Sequence, residues 1–421
     1  KRLHAASLLS YKNFVYRPTA RFLECIHPFT TRRQLGWEEE RVDEFRARTR
    51  IIDPIGQDER SMLRTFLAPL GLDFEDDTEL SSLVFDGDTP IATASLAGDV
   101  IKCVGVLPGY EGQGAAARAV TAVIAEAEAR RRRNLFVYTR PRNKSIFESL
   151  GFSTLATVTP GTVQTGTAPP EGVMLLESDP RAFGSWVDGI KAILPGGSAA
   201  GAVVVNCNPF TLGHRYLIER AAEACASGSP GSSLSSGSPS RGSSSRGTLL
   251  VLVVAGDRSS FPGSVREELV RAGTADLGNI TVASGASYCV SGATFPAYYL
   301  KEKSQAAELQ AALDAELFAS RIAPAFGIKR RFVGTEPYCQ VTAAYNRAMA
   351  AALPRHGIEL VEIPRAESGG AAISASAVRA ARRASDMRRV AELVPGTTMD
   401  WLQSPAAVPI LEKIKSGAGR H

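Results

Sequence analysis

The 421-residue chain has no apolar run approaching the roughly twenty residues that a membrane-crossing helix needs, so no transmembrane helix is expected. Nor does it have a strong charge imbalance. Its 48 Lys and Arg face 43 Asp and Glu, and a net charge of +5 argues for neither nucleic acid nor membrane binding. The basic run Arg130–Arg133 reads as the solvated end of a helix. The six cysteines, at 25, 103, 207, 225, 289 and 339, form no CxxC pair and show no metal-ligand spacing. That spacing excludes a zinc site of the usual kind, argues against disulfides and suits a reducing compartment. Histidine is scarce at five residues, and those at 4, 27, 356 and 421 stand in no constellation, which leaves His214.

What is present is organised around Gly201–Cys225. Ala202–Val205 reads as a buried strand, Asn206–His214 as a tight polar loop, and Leu217, Ile218, Ala221, Ala222 and Cys225 recur on one face of a helix. A strand feeding a helix through a short loop aims the first helical N–H groups, and the positive end of the helix dipole, at whatever lies above the sheet edge. An anion site is therefore expected there. The loop residues Asn206, Asn208, Pro209 and Phe210 lead into Thr211-Leu212-Gly213-His214. Thr211 and His214 are three apart and share a helix face, and Gly213 admits a close approach to the backbone.

Downstream, strands and helices alternate: strands at 249–254, 280–283, 331–333 and 358–363, with helices at 265–273, 308–323 and 341–353 between them. This rhythm predicts an α/β fold, a parallel sheet with helices on both faces and ligands at the carboxyl ends of its strands. A second phosphate-suited segment, Ile373-Ser374-Ala375-Ser376-Ala377-Val378-Arg379, follows a strand and opens a helix. Its serines offer hydroxyls and Arg379 a permanent forked cation, although a serine before a helix is most often only an N-cap. Ser227–Gly247 holds eleven Ser and five Gly and reads as a disordered insertion.

The front half differs. A helix from Gln57, with Met62, Leu63, Phe66 and Leu67 as its apolar face, precedes a hairpin around Asp86-Gly87-Asp88 and a strand at Val100–Val106. A glycine-bearing loop then opens an Ala-rich helix. The expected units are an extension (1–55), a front domain (56–158), a connection (159–198) containing a helix near 181–193, a C-terminal α/β domain (199–403) and a tail (404–421).

These segments resemble known families. Thr211-x-Gly213-His214 and Ile373-Ser374-x-Ser376-x-x-Arg379 resemble the paired motifs of the nucleotidyltransferase superfamily. Asn206–Glu219, Gly334-Thr335-Glu336-Pro337-Tyr338-Cys339 and Ala293–Lys301, with Tyr298 and Tyr299, look like the citrate lyase ligase family. The front strand, loop and helix, with Gly114, Ala116, Asn143 and Leu150-Gly151-Phe152, are similar to the GNAT acetyltransferase fold; Glu111 stands where that family has Gln or Arg. The resemblance implies a Rossmann-like nucleotidyltransferase domain preceded by an α+β acetyltransferase-like one. It further implies an ATP-dependent ligase that forms acetyl-AMP and acetylates the thiol prosthetic group of the citrate lyase acyl-carrier subunit.

On that reading His214, Thr211, Ser376 and Arg379 stabilise the charge developing on the α-phosphate. Asn206, Asn208, Pro209, Phe210, Gly213, Ile373 and Ser374 bind nucleotide, as do Gly334, Thr335 and Glu336. Val106, Gly112, Gly114, Ala116 and Asn143 would hold a CoA-like arm. Mg²⁺ would ride on the ATP phosphates with no protein side chain as its ligand. Two alternatives are a nucleotidyltransferase acting on phosphopantetheine or nicotinamide mononucleotide, and a non-catalytic acyl-CoA or partner-binding regulator. The expected location is the cytoplasm, or an organelle if residues 1–22, with five basic side chains and no acid, are a targeting leader.

Overall fold

The computed structural model describes residues 47–159, 172–227, 247–256, 259–289, 303–335 and 340–415. The Ser/Gly tract from 228 to 246, Tyr298, Tyr299 and Glu336 lie outside them. The described residues form one compact unit built on two large sheets and a small two-stranded one.

The first sheet begins with β1 (Ala47–Ile52) and, after α1 (Gln57–Leu67), continues as β2 (Leu80–Asp86), β3 (Thr89–Ala97) and β4 (Val100–Val106). Helix α2 (Ala115–Ala129) follows, then β5 (Phe136–Thr139), α3 (Lys144–Ser149), β6 (Ser153–Val158) and β7 (Val173–Glu177). The strand order is β1-β2-β3-β4-β5-β7-β6, antiparallel except where β4 runs parallel to β5. Helix α2 lies on this sheet through Ala115, Ala119, Val120, Val123 and Ala127, the 3.6-residue repeat of a buried stripe. Its small side chains allow the buried Ser82 hydroxyl to donate to the Ala119 carbonyl at 2.8 Å.

Two stretches depart from the sequence reading. Ala47–Ile52, assigned to the extension, pairs with β2 along its whole length. β7, assigned to the connection, lies between β5 and β6 and is buried at every residue. A single apolar strand embedded among weak turn signals has no periodicity of its own to announce it; its partners decide it. The arginine run is also less solvated than expected, since Arg130 pairs with Asp53 and Arg132 with Glu79 at 2.7 Å.

After α4 (Ala182–Ile193) comes the second sheet: β8 (Gly201–Val205), α5 (Leu212–Ser227), β9 (Leu249–Val253), α6 (Gly263–Gly273) and β10 (Ile280–Ser284). Helix α7 (Lys303–Leu317) passes through a π-turn at 318–322 into α8 (Ala323–Phe326). β11 (Arg330–Gly334), α9 (Gln340–Ala352) and β12 (Glu359–Ile363) complete the alternation. All five strands are parallel, in the order β10-β9-β8-β11-β12. β8 is therefore central, and strand order reverses beside it, the place where open α/β sheets bind ligands. Successive β8 residues serve opposite layers: Ala202 joins the core shared with α4, α7 and α9, while Val203 and Val205 join the core shared with α5 and α6.

A two-residue hairpin, β13 (Glu367–Ser368) and β14 (Ala371–Ala372), turns through Gly369 and Gly370, both at positive φ as this turn requires. It delivers the chain to α10 (Ala375–Arg383), which is followed by α11 (Met387–Leu393), α12 (Gly396–Gln403) and α13 (Val408–Lys415). α13 lies in the stretch expected as tail, yet Ile414 is buried in the same core as Val378, Leu393 and Leu402.

The two sheets are joined by polar and aromatic side chains. Tyr288 donates to the buried Glu177 carboxylate at 2.9 Å, Asn134 donates to it at 3.0 Å, and Trp186 donates to the Ser284 carbonyl at 3.0 Å. Burial raises the Glu177 carboxyl above its ordinary value. Cys103, Cys207, Cys225 and Cys289 are free and buried. Among the described residues no helix is long and apolar enough to cross a membrane.

Candidate functional site

The loop from β8 to α5 is held from below by its own buried side chains. Phe210 is fully buried, and Gly273 leaves the space its ring occupies, since a Cβ there would stand 2.4 Å from it. The buried Asn208 accepts from the Phe261 backbone N–H at 3.0 Å, and Cys207 takes a positive φ of 50°. Asn206 accepts from Arg266, which also donates to the carbonyls of Phe261 at 2.9 Å and Gly256 at 2.8 Å. Asn208, Pro209 and Phe210 are therefore buried and face inward, where the sequence motif predicts nucleotide contacts. Arg215 ties α5 down by donating to both oxygens of Asp276, at 2.8 and 2.6 Å. The same pairing pulls the Asp276 carboxyl down to about 2.

At the start of α5, Thr211 and His214 meet. The Thr211 backbone N–H donates to His214 Nδ1 at 3.1 Å, and the Thr211 hydroxyl lies 2.9 Å from the same nitrogen. An accepting Nδ1 leaves the ring proton on Nε2, on the far side of the imidazole. Burial, with the charge of Arg365 as a second cause, lowers the His214 pKa to about 4. The ring is thus a neutral donor at physiological pH. It stacks on Phe210, with centroids 6.1 Å apart and planes at 16°.

The second motif arrives alongside. What approaches Gly213 is Ile373: a Cβ on Gly213 would stand 2.7 Å from the Ile373 carbonyl oxygen. The glycine therefore brings two helix starts together, and the close approach expected at Gly213 is made by Ile373. Ser374 caps α10, its hydroxyl accepting from the Ala377 N–H at 3.2 Å. Ser376 is exposed one residue into that helix. Arg379 donates to the Asn208 carbonyl, which binds α10 directly to the first loop. Two positive helix ends, an imidazole N–H and a guanidinium so assembled can stabilise several negative oxygens.

Gly334 and Thr335 lie at the carboxyl end of β11 beside this loop. The Gly334 carbonyl accepts from Asn346 at 3.2 Å, and the Thr335 carbonyl from Arg365 at 2.8 Å. Arg365 and Arg266 escaped the sequence reading. A basic residue two positions after a parallel strand is the available signal for Arg365; nothing in the sequence singles out Arg266, which is fully buried.

In the first sheet, β4 and β5 pair only at Val100–Phe136 and Ile101–Val137, well short of Val106. The loop after β4 enters α2 through Gly112 and Gly114 at φ of 76° and 80°, conformations that glycine adopts without strain. No atom lies within 4 Å of where their Cβ would be, and Ala116 is the second residue of the helix. Asn143 donates to the Thr139 hydroxyl at 2.9 Å. Glu111 is exposed.

Comparison with known proteins gives two family matches. The profile of the citrate lyase ligase C-terminal domain matches residues 200–227 and 240–402, and that of the acetyltransferase (GNAT) family matches residues 37–152. The [citrate [pro-3S]-lyase] ligase of Escherichia coli K12 is 35% identical over 344 residues, 80% of this chain and 89% of that protein. The protein of the same name from Haemophilus influenzae is 34% identical over 353 residues, 82% of this chain and 96% of its own. The solved structure of Escherichia coli ElaA is 10% identical, covering 31% of this chain and 99% of its own, with a TM-score of 0.27.

Proposed function

Since the chain belongs to the citrate lyase ligase family, we propose that it acetylates the thiol of the citrate lyase acyl carrier at the expense of ATP. Its identity to ligases along their length supports the reading. The observation that carries it is the convergence of Thr211, His214 and Arg379, with the starts of α5 and α10, beside the end of β8.

In the first step an acetate oxygen attacks the α-phosphorus of ATP, the bond to the β,γ-pyrophosphate breaks, and acetyl-AMP forms. His214 Nε2–H would donate to an α-phosphate oxygen while Arg379 balances its added charge; Ser376 would serve the β- and γ-phosphates. Mg²⁺ on those phosphates would lower their repulsion. In the second step the carrier thiolate attacks the acetyl carbon and the bond to AMP breaks. Gly334, Thr335 and Glu336 are assigned to base and ribose. The loop at Gly112–Ala116, with Val106 and Asn143, is assigned to the CoA-like arm of the carrier. A Gly114→Val variant should then raise the KM for carrier and leave the KM for ATP unchanged; equal KM values for carrier would remove that assignment. A cytoplasmic location belongs to the same proposal.

The test is pyrophosphate release from ATP, Mg²⁺ and acetate, with and without thiol-bearing carrier. Release that depends on acetate, with AMP and acetylated carrier as products, is expected. Release that ignores acetate but responds to a phosphorylated acceptor, with AMP retained in the product, would overturn the ligase reading.

A further inference from the structure

Where the two large sheets meet, a cavity of about 410 Å³ opens beside the carboxyl end of β10, a volume within the range of small-molecule sites. Arg131 and Arg133, just after α2, border it, with Asp99 from the turn between β3 and β4 and the rings of Trp186 and Tyr288. The four arginines at 130–133 divide into two pairs. Arg130 and Arg132 are spent on Asp53 and Glu79. Arg131 and Arg133 are exposed, and neither guanidinium makes an ion pair or hydrogen bond among the described residues. Arg131 stands at φ 62°, in the left-handed position that closes α2, where the Arg132 N–H reaches back to the Ala127 carbonyl at 2.9 Å. Glycine is the ordinary residue at such a helix end, and a long cationic side chain kept there at a conformational cost points to a use for it. Ala286, which also borders the cavity, is left-handed too, at φ 44°. The Trp186 N–H is spent on the Ser284 carbonyl, and its ring rests on Tyr288 with centroids 5.0 Å apart, so the indole is a fixed, partly exposed wall.

We propose that this cavity is a second nucleoside-phosphate site, separate from the phosphate site at α5 and α10. Arg131 and Arg133 take the phosphates, as guanidinium forks do, Asp99 accepts from the ribose hydroxyls, and Trp186 backs the base. A bare inorganic anion would use the arginines alone and be opposed by Asp99; it is the combination of cations, carboxylate and aromatic wall that selects a nucleoside. Position separates the cavity from both sites described above. It lies at the opposite end of α2 from the Gly112–Ala116 loop, a helix of 15 residues or about 22 Å. Ser284 aligns with Val253 and, through it, with Val205, so two strand spacings, about 10 Å, separate it from the end of β8. A free nucleotide and the nucleotide part of the carrier's CoA-like arm share this chemistry. The site itself does not depend on the ligase reading; only its supply from the carrier does.

The experiment titrates ADP calorimetrically into the full chain, which should bind two molecules. The double variant Arg131→Gln, Arg133→Gln should keep one of them and bind the other about 10- to 100-fold more weakly, as loss of charged hydrogen bonds does. Pyrophosphate release from ATP and acetate should be unchanged in that variant; a fall would put the arginines in the catalytic site and overturn a second one. If the carrier's arm is the source, ADP competes with carrier in the native chain and the variant raises the KM for carrier. If a free nucleotide is the source, the KM for carrier stays as it is. Should the double variant fail to fold, Arg133→Gln alone, exposed and outside the left-handed region, must still weaken the second ADP. Identical ADP titrations of the native chain and a folded variant overturn the proposal, and so does inorganic pyrophosphate that binds the cavity as tightly as ADP. A native chain that binds a single ADP, lost in the double variant, would instead count against the nucleotide assignment at α5 and α10 and leave this site standing.

Discussion

Gly213→Ala tests whether the two motifs must touch. The added Cβ would lie 2.7 Å from the Ile373 carbonyl oxygen and 3.4 Å from Ile373 Cβ. The obstacle is backbone, which cannot swing aside, and relief needs a displacement of roughly half an ångström between α5 and the entry to α10. Overpacking of this kind costs about 1–3 kcal/mol, while replacing a helical glycine by alanine returns up to about 1 kcal/mol. The net loss should be about 0.5–2 kcal/mol, seen as a fall of a few degrees in Tm. Catalysis should suffer more, because a misplacement of about 1 Å can cost on the order of 10²-fold. A loss of about 10- to 100-fold in kcat/KM for pyrophosphate release is therefore expected. Gly189→Ala is the control, since that glycine lies inside α4 with no atom within 4 Å of its missing Cβ. It should gain about 0.5–1 kcal/mol at full activity. If Gly213→Ala matched the control in both Tm and rate, the argument that glycine joins two helix starts would be wrong.

His214→Ala should lower the rate on the order of 10²- to 10³-fold, the usual cost of one donor to a developing oxyanion, as read by pyrophosphate release. With its folded pKa lowered from 6.5 to about 4, His214 contributes stability that is fully present above pH 6.5 and is lost as pH falls toward 4. Urea midpoints measured against pH should therefore drop more steeply across that window for the native chain than for His214→Ala; parallel curves would refute the assignment. The two serines should separate, since Ser374→Ala removes an N-cap and about 1 kcal/mol. Ser376→Ala should leave Tm unchanged and slow pyrophosphate release, and an unchanged rate would take Ser376 out of the phosphate site.

Legibility followed the locality of the signal. The helix at Gln57, the hairpin around Gly87 and the strand–loop–helix at β8 and α5 rest on periodicity and turn residues within a dozen positions, and each formed where expected, although α5 starts at Leu212, inside the stretch 206–214 expected as loop. The strands at Ala47–Ile52 and Val173–Glu177 carry no such local signature. Their place comes from ladders with β2 and with β5 and β6, and a ladder partner far along the chain leaves no trace in a short window. Ile414 reads as tail for the same reason, since only α10 and its neighbours give it something to be buried against.

The amino-acid sequence by itself determined the residue types and spacings of the two motifs, the α/β alternation, and the family to which the chain belongs. Tertiary structure decided what those residues do to one another. Thr211 donating to Nδ1 selects the His214 tautomer, burial beside Arg365 keeps that ring neutral, Gly213 yields its space to Ile373, and Arg379 reaches back across the chain to Asn208. Tautomer, charge state and contact depend on distances of about 3 Å between groups up to 171 residues apart, and only the folded sheet brings such groups within reach.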